Sequence, residues 1–216
     1  MPGTTVAYDA IVLGGGRGAR LGGVDKPSLV LGGLSLAARA ILAVAGARAV
    51  AFVSHGVVPS AEPLEPLDPR IRLVREEPRW AGPVAAIAAG LAGLDDRSEP
   101  VTVVLAGDLV EPAPAVAALL AHGPRGDDGI IAIDHDGVRQ PLLAIYRTAA
   151  LHSAIAAVGT VVRATGRGPS MHAVLQRLEL RELPLPAAWC ADVDTPADAA
   201  RHGIALPSEV HHARVA

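Results

Sequence analysis

Apolar residues in this chain gather into short, almost unbroken runs separated by alanine-rich stretches of helical length. The runs are Tyr8 to Leu13, Ala49 to Val53, Ile71 to Val74, Val101 to Ala106, Ile130 to Ile133 and Leu142 to Tyr146. A continuous apolar run bounded by glycine, proline or acidic residues is the pattern of a strand buried on both faces, as in a parallel sheet. Between the runs, Ser35 caps a helix from Leu36 to about Ala45 that Gly46 ends, and Pro83 opens a second one to about Leu94. Pro112 and Pro114 start a third, running to about His122, and Thr148 to Val158 reads as a fourth. This alternation predicts an α/β fold, a single-domain, mostly parallel, doubly wound (Rossmann-like) sheet.

The alternation stops at Asp134-His135-Asp136-Gly137, whose Asp-Gly pair is a strong turn signal, so its flanking runs are expected to form a small antiparallel ribbon. Further along, Ser170 to about Leu178 reads as helix and Leu180 to Leu183 as strand, and Thr195 caps a last short helix from Pro196. Prolines at 59, 63, 66 and 69 mark Ser54 to Arg70 as an exposed loop. The expectation is one domain over residues 1–206 with a loose tail at 207–216.

Directly after the first run, residues 13–26 read Leu-Gly-Gly-Gly-Arg-Gly-Ala-Arg-Leu-Gly-Gly-Val-Asp-Lys. Gly14, Gly15, Gly16 and Gly18 free the backbone so that successive amides can point at one anion, and Arg17, Arg20 and Lys26 add positive charge. The loop is therefore read as a phosphate-binding loop, and spacing separates the known kinds. A P-loop needs Lys-Ser/Thr directly after its last glycine, but Gly23 is followed by Val24 and Asp25. The dinucleotide fingerprint is formally met by Gly14, Gly16 and Ala19, yet it must open straight into a helix and be answered by a later acid. Gly22, Gly23 and Pro27 would break such a helix, and no Asp or Glu lies between Asp25 and Glu62. A long, ordered loop carrying Arg20 and Lys26 is what fits.

Composition narrows the ligand. A chain of 216 residues suits one domain with a sizeable core. Its formal net charge of -3 lacks the basic excess that a nucleic-acid binder uses, so the local basicity of the loop points to a small anion. A single cysteine, Cys190, agrees with a reducing compartment and reads as a small buried hydrophobe. No basic segment precedes the first apolar run, and the uncharged stretch Ala81 to Leu94 is too short for a membrane span. A soluble, cytoplasmic protein with no membrane partner is expected.

The loop resembles the signature of the nucleotidyltransferases, and within them the molybdenum cofactor guanylyltransferase group. Leu13, Gly15, Gly16, Arg20, Gly22, Gly23, Asp25 and Lys26 match that family's pattern, with Leu21 where it has methionine. Downstream, Glu76-Glu77 and Gly82-Pro83-Val84-Ala85 resemble the acidic residue and the Gly-Pro-Leu-Ala-Gly segment, with Ala86 replacing the final glycine. Asp108 follows the strand run Val101 to Ala106, as the family's Asp-x-Pro does, though Pro112 stands later than its proline. Asp192-Val193-Asp194-Thr195-Pro196-Ala197-Asp198 resembles a fourth motif; Gln140-Pro141-Leu142, Tyr146-Arg147 and Gly166-Arg167-Gly168 are further matches.

The resemblance implies a Mg2+-dependent transfer of GMP from GTP to a phosphate-bearing acceptor of the molybdopterin type, with release of pyrophosphate. It implies catalytic roles for Arg20, Lys26 and Asp108. Leu13, Gly14, Gly15, Gly16, Arg17, Lys26, Glu76, Gly82 and Asp108 would bind nucleotide. Gln140, Arg167, Asp192 and Asp194 would face the acceptor, with Asp108 and Asp194 on the metal, and Tyr146 would lie toward the acceptor side. Asp192 and Asp194 share a face if their segment is extended, so either can join Asp108. The same motifs are compatible with CTP, with a sugar or alcohol phosphate acceptor, or with a nucleotide-binding relative that lacks turnover.

Overall fold

The computed structural model describes residues 6–15, 19–55, 68–94, 99–160 and 168–206. Its main sheet has seven strands: β1 (Asp9–Leu13), β4 (Val50–Val53), β5 (Ile71–Val74), β6 (Val101–Ala106), β7 (Gly129–Ile133), β8 (Arg139–Arg147) and β9 (Leu180–Pro184). The order across the sheet is β5-β4-β1-β6-β8-β7-β9. The pairs β5/β4, β4/β1, β1/β6 and β7/β9 are parallel, and β8 runs antiparallel to both β6 and β7. The ribbon around Asp134 to Gly137 thus continues the main sheet. A separate two-stranded sheet, β2 (Val30–Leu31) and β3 (Leu34–Ser35), turns on Gly32 and Gly33, both at positive φ, and was not expected from the sequence.

Side chains alternate across β1 and split the core into two layers. Ala10 and Val12 pack with α1 (Leu36–Ala43) and α3 (Pro112–His122), whereas Ile11 and Leu13 pack with α2 (Pro83–Gly93), α4 (Thr148–Val158) and α5 (Met171–Leu175). Both faces of the sheet are therefore covered, as its uninterrupted apolar strands require. The first crossover carries the chain from β1 through α1 to β4, and the helix α2 then brings it back past β1 to β6. The direction of winding reverses between β1 and β6, and a crevice opens beyond the carboxyl ends of these two strands.

That crevice is held closely. The Gly107 amide donates to the Leu13 carbonyl at 2.9 Å, and a Cβ on Gly107 would stand 2.9 Å from that same oxygen. A third, smaller apolar cluster sits to one side, formed by Leu21 and Leu29 from the glycine-rich segment, Leu36, Val110, Val193 and Ala199. Ala199 lies in α7 (Pro196–Arg201), whose N-terminus is a capping box in which Thr195 and Asp198 bond reciprocally. The short helix α6 (Ala187–Cys190), absent from the sequence reading, holds Cys190 half-buried against the first core layer.

Candidate functional site

The crevice is a cleft of about 360 Å3 that runs from Asp108 at one end to His55, Glu76 and Trp80 at the other. Its floor is the carboxyl end of the sheet, where Leu13 and Gly15 follow β1 and Ala106 ends β6. Gly14 is glycine for a packing reason, since a Cβ there would lie 2.3 Å from the buried Phe52 ring. Gly16 and Arg17, read as nucleotide-binding, lie outside the described residues.

The charged end is assembled from three segments. Lys26 begins a 3-10 turn, Lys26–Ser28, and its Nζ bonds to Asp194 and lies 3.5 Å from Asp108. Arg20, largely exposed, donates to the other Asp194 oxygen at 3.0 Å. Asp108 and Asp192 are brought together by main chain. Leu109 forms a single antiparallel bridge with Asp192, and the Val110 amide donates to the Ala191 carbonyl at 2.9 Å. Two of the three residues that separate Asp108 from Pro112, Leu109 and Val110, make this contact. Val193, fully buried in the third cluster, anchors the loop and leaves Asp192 and Asp194 directed the other way.

Electrostatics here follow from crowding. Burial works against the Lys26 charge, but the bond to Asp194 and the fields of Asp108, Asp194 and Asp192 outweigh it, holding the ammonium above its usual range. Burial pushes the Asp108 carboxyl up, and Lys26 offsets this only in part. The Asp192 carboxyl is pushed up to about 6, first by desolvation and then by repulsion from Asp108 and Asp194, although the residue as a whole is exposed. One carboxylate oxygen from each of the three lies within 4.8 Å of the other two. Three hard oxygen donors so close, still carrying excess negative charge beside Lys26 and Arg20, fit a divalent cation of the Mg2+ type.

The opposite end is mostly apolar, with Ser54, His55 and Glu76 as its polar residues. Glu76 is buried; its Oε1 accepts from the Trp80 amide at 2.9 Å, and its Oε2 has no partner among the described residues. Burial raises the Glu76 carboxyl above its usual range, against the pull of the Trp80 amide and of His55. His55 Nε2 is likewise buried without a hydrogen bond, 4.0 Å from Glu76 Oε1. Gly82 adopts a φ of 103 before α2, and Ala86 lines the cleft from that helix.

Some sequence assignments fall elsewhere. The Gln140 side chain donates to Asp134 at 2.8 Å inside the β7–β8 turn. Tyr146 cannot line an acceptor side, because it is fully buried with its hydroxyl donating to the Pro141 carbonyl at 2.9 Å. Arg147 is taken up by the Asp127 carbonyl at 2.7 Å. Arg167 lies outside the described residues, but its neighbour Gly168 sits so close to the Ala81 carbonyl that a Cβ would be 2.2 Å from it. Sequence reasoning missed His55 and Trp80. The signal for His55 was present, since it follows the run Ala49 to Val53 and so stands at a strand's carboxyl end.

Over 151 residues the chain is 33% identical to a protein of Methanosarcina acetivorans named "Probable molybdenum cofactor guanylyltransferase", covering 67% of this chain and 66% of that protein. A protein of Chloroflexus aggregans with the same name is 37% identical over 98 residues, 44% of each chain. The chain thus spans two thirds or less of the length of these relatives. The crystal structure of molybdopterin-guanine dinucleotide biosynthesis protein A from Archaeoglobus fulgidus superposes with a TM-score of 0.60 at 19% identity, over 96% of this chain and all of that one. At that identity the likeness is one of fold. The profile of the MobA-like NTP transferase domain matches residues 10–182, most of the chain, and the protein belongs to that family.

Proposed function

We propose that the protein is a nucleotidyltransferase that moves GMP from GTP to a phosphate-bearing acceptor of the molybdopterin type and releases pyrophosphate. The observation that carries this reading is the convergence of Lys26, Arg20, Asp108, Asp192 and Asp194 at one end of a cleft whose other end is mostly apolar. An acceptor phosphate oxygen attacks the α-phosphorus, forming a new P–O bond as the bond to the β-phosphate oxygen breaks. Both electrophile and acceptor are supplied by the substrates, so the protein's task is alignment and charge neutralisation. Lys26 and Arg20 would hold the departing pyrophosphate. Asp108, with Asp192 and Asp194, would hold Mg2+, which when bound neutralises charge on the phosphate oxygens.

The guanine assignment is supported by the relatives' names and by Glu76. A buried carboxylate oxygen without a partner calls for N–H donors, and guanine offers two adjacent ones along one edge, which cytosine, uracil and adenine do not. The test is pyrophosphate release by the purified protein with each of GTP, CTP, ATP and UTP, given Mg2+ and molybdopterin. Turnover confined to GTP is expected, and faster release with CTP would overturn the base assignment.

A further inference from the structure

Trp80 is the one non-glycine residue among the described ones that stands in the left-handed backbone region, at a φ of 60. For a bulky side chain this conformation is unfavourable and persists only where the surroundings fix it. The fixing contact is the bond from its amide to Glu76 Oε1, and Glu76 is itself buried. The indole so displayed is 41% exposed and lines the cleft. The Arg79 guanidinium lies 4.1 Å from the ring centroid and covers one side of it. In the same end of the cleft, Glu76 Oε2 and His55 Nε2 are buried with no hydrogen-bond partner among the described residues, so polar atoms open to a ligand lie at the same end as the ring.

We infer that Trp80 is the wall on which the nucleobase stacks, and that Glu76 is the positioning residue that holds it there. The inference rests on the nucleotidyltransferase reading above and adds a division of labour to it. Stacking accepts any base in kind but strengthens with ring area, so Trp80 favours purine over pyrimidine. Choice between the purines is left to the edge that Glu76 and His55 face.

The experiment uses the full chain with Mg2+ and three probes: GTP, CTP and inorganic tripolyphosphate. Trp80→Ala is expected to weaken GTP binding roughly tenfold, CTP binding less, and tripolyphosphate binding not at all. Trp80→Phe should restore most of the loss. In a Trp189→Phe background Trp80 is the only tryptophan, and its fluorescence should fall on adding GTP but not tripolyphosphate. Trp80→Gly supplies the second readout. It relieves the backbone, so Tm should hold or rise while GTP binding falls, whereas removal of a packing residue would lower Tm. Unchanged GTP affinity in Trp80→Ala, or equal losses for GTP and tripolyphosphate, overturns the role of Trp80 alone. A folded wild-type protein that binds tripolyphosphate but neither GTP nor CTP overturns the nucleotide reading with it.

Discussion

Lys26 and Arg20 are already engaged by Asp194 at the charged end of the cleft, whereas at the base end Glu76 Oε2 and His55 Nε2 are buried with no hydrogen bond among the described residues. The contrast follows from what each end would otherwise lose. Isolated charges are far costlier to desolvate than single polar atoms, so the charged end is stable without ligand only if its ions neutralise one another. There, ligand binding would be an exchange: triphosphate oxygens replace Asp194 on Lys26, and Asp194 turns to a cation. At the base end nothing is exchanged, and a ligand adds bonds to atoms that have none. On the proposed reading, one end would therefore govern reactivity through charge, and the other would govern selection through fit.

The largest break in this contrast is expected from Asp108→Asn. Asn keeps the size of the side chain but loses the charge that a hard divalent cation requires, so turnover should fall on the order of a thousandfold. Stability should not fall with it. Lys26 retains Asp194, and repulsion from Asp192 and Asp194 is relieved, so Tm without metal should be unchanged or higher. Kinetics with thermal unfolding on this one variant decide the matter. Retained Mg2+-dependent turnover would remove Asp108 from the metal role, and a lower Tm would make it a structural ion pair.

Next in size, Lys26→Met should weaken GTP binding roughly 10- to 100-fold, the worth of one hydrogen bond to a charged group. Guanosine, which has no phosphate, should bind as before. Calorimetry with both ligands checks this, and equal losses would mean that the two ends are coupled and that Lys26 serves the whole cleft.

How far this contrast could be read from sequence differs between the ends. Strands such as Ile71–Val74 and Val101–Ala106 were legible to the residue, because a mostly apolar run between breakers has few other uses. The carboxylates were legible too, since carboxyl-end loops are where an α/β sheet places ligands. What escaped depended on tertiary detail. The β2–β3 turn needs only Gly32-Gly33 between Val30-Leu31 and Leu34-Ser35, too little pattern to stand out beside a glycine-rich loop. The Leu109–Asp192 bridge joins residues far apart in the chain, and a displaced proline gave no hint of it. Tyr146 looked like a ligand-side residue until the β8 register buried it.

A smaller effect should appear in the metal-free protein as a pH dependence of stability. Asp192 has a folded-state pKa of about 6, above the ordinary 3.8, so between these values the native state binds more protons than the unfolded one. Stability then falls as pH rises through this window, and the loss is complete above it. Asp192→Asn removes the penalty. Its Tm should exceed that of the parent at pH 8, and the difference should vanish by about pH 4. Because solvent screens so exposed a residue, the discounted gain is at most about 1 kcal/mol, or about 2–4 °C for a chain of this size. A difference that grows toward low pH would reverse the sign and refute the crowding of charge on which the contrast depends.

The smallest effect on nucleotide binding is expected at the base end, from Ala86→Gly, which restores the glycine of the family motif. Ala86 lies in the second turn of α2, is 9% exposed and lines the cleft, so its methyl group is the one obvious departure from a roomier pocket. Two consequences oppose each other. Glycine costs helix stability by about 0.5–1 kcal/mol relative to alanine, which should lower Tm by no more than about 4 °C. Removing the methyl also enlarges the cleft, but Glu76, His55 and Trp80 stay where they are. If those three set the fit, GTP affinity should change less than about threefold. Tightening of tenfold or more would show that the methyl group obstructs the base, so that the base end of this chain is closed by its own helix and the open half of the contrast is lost. A Tm drop with unchanged affinity would instead assign Ala86 to the helix, leaving selection to the buried polar atoms and the indole beside them.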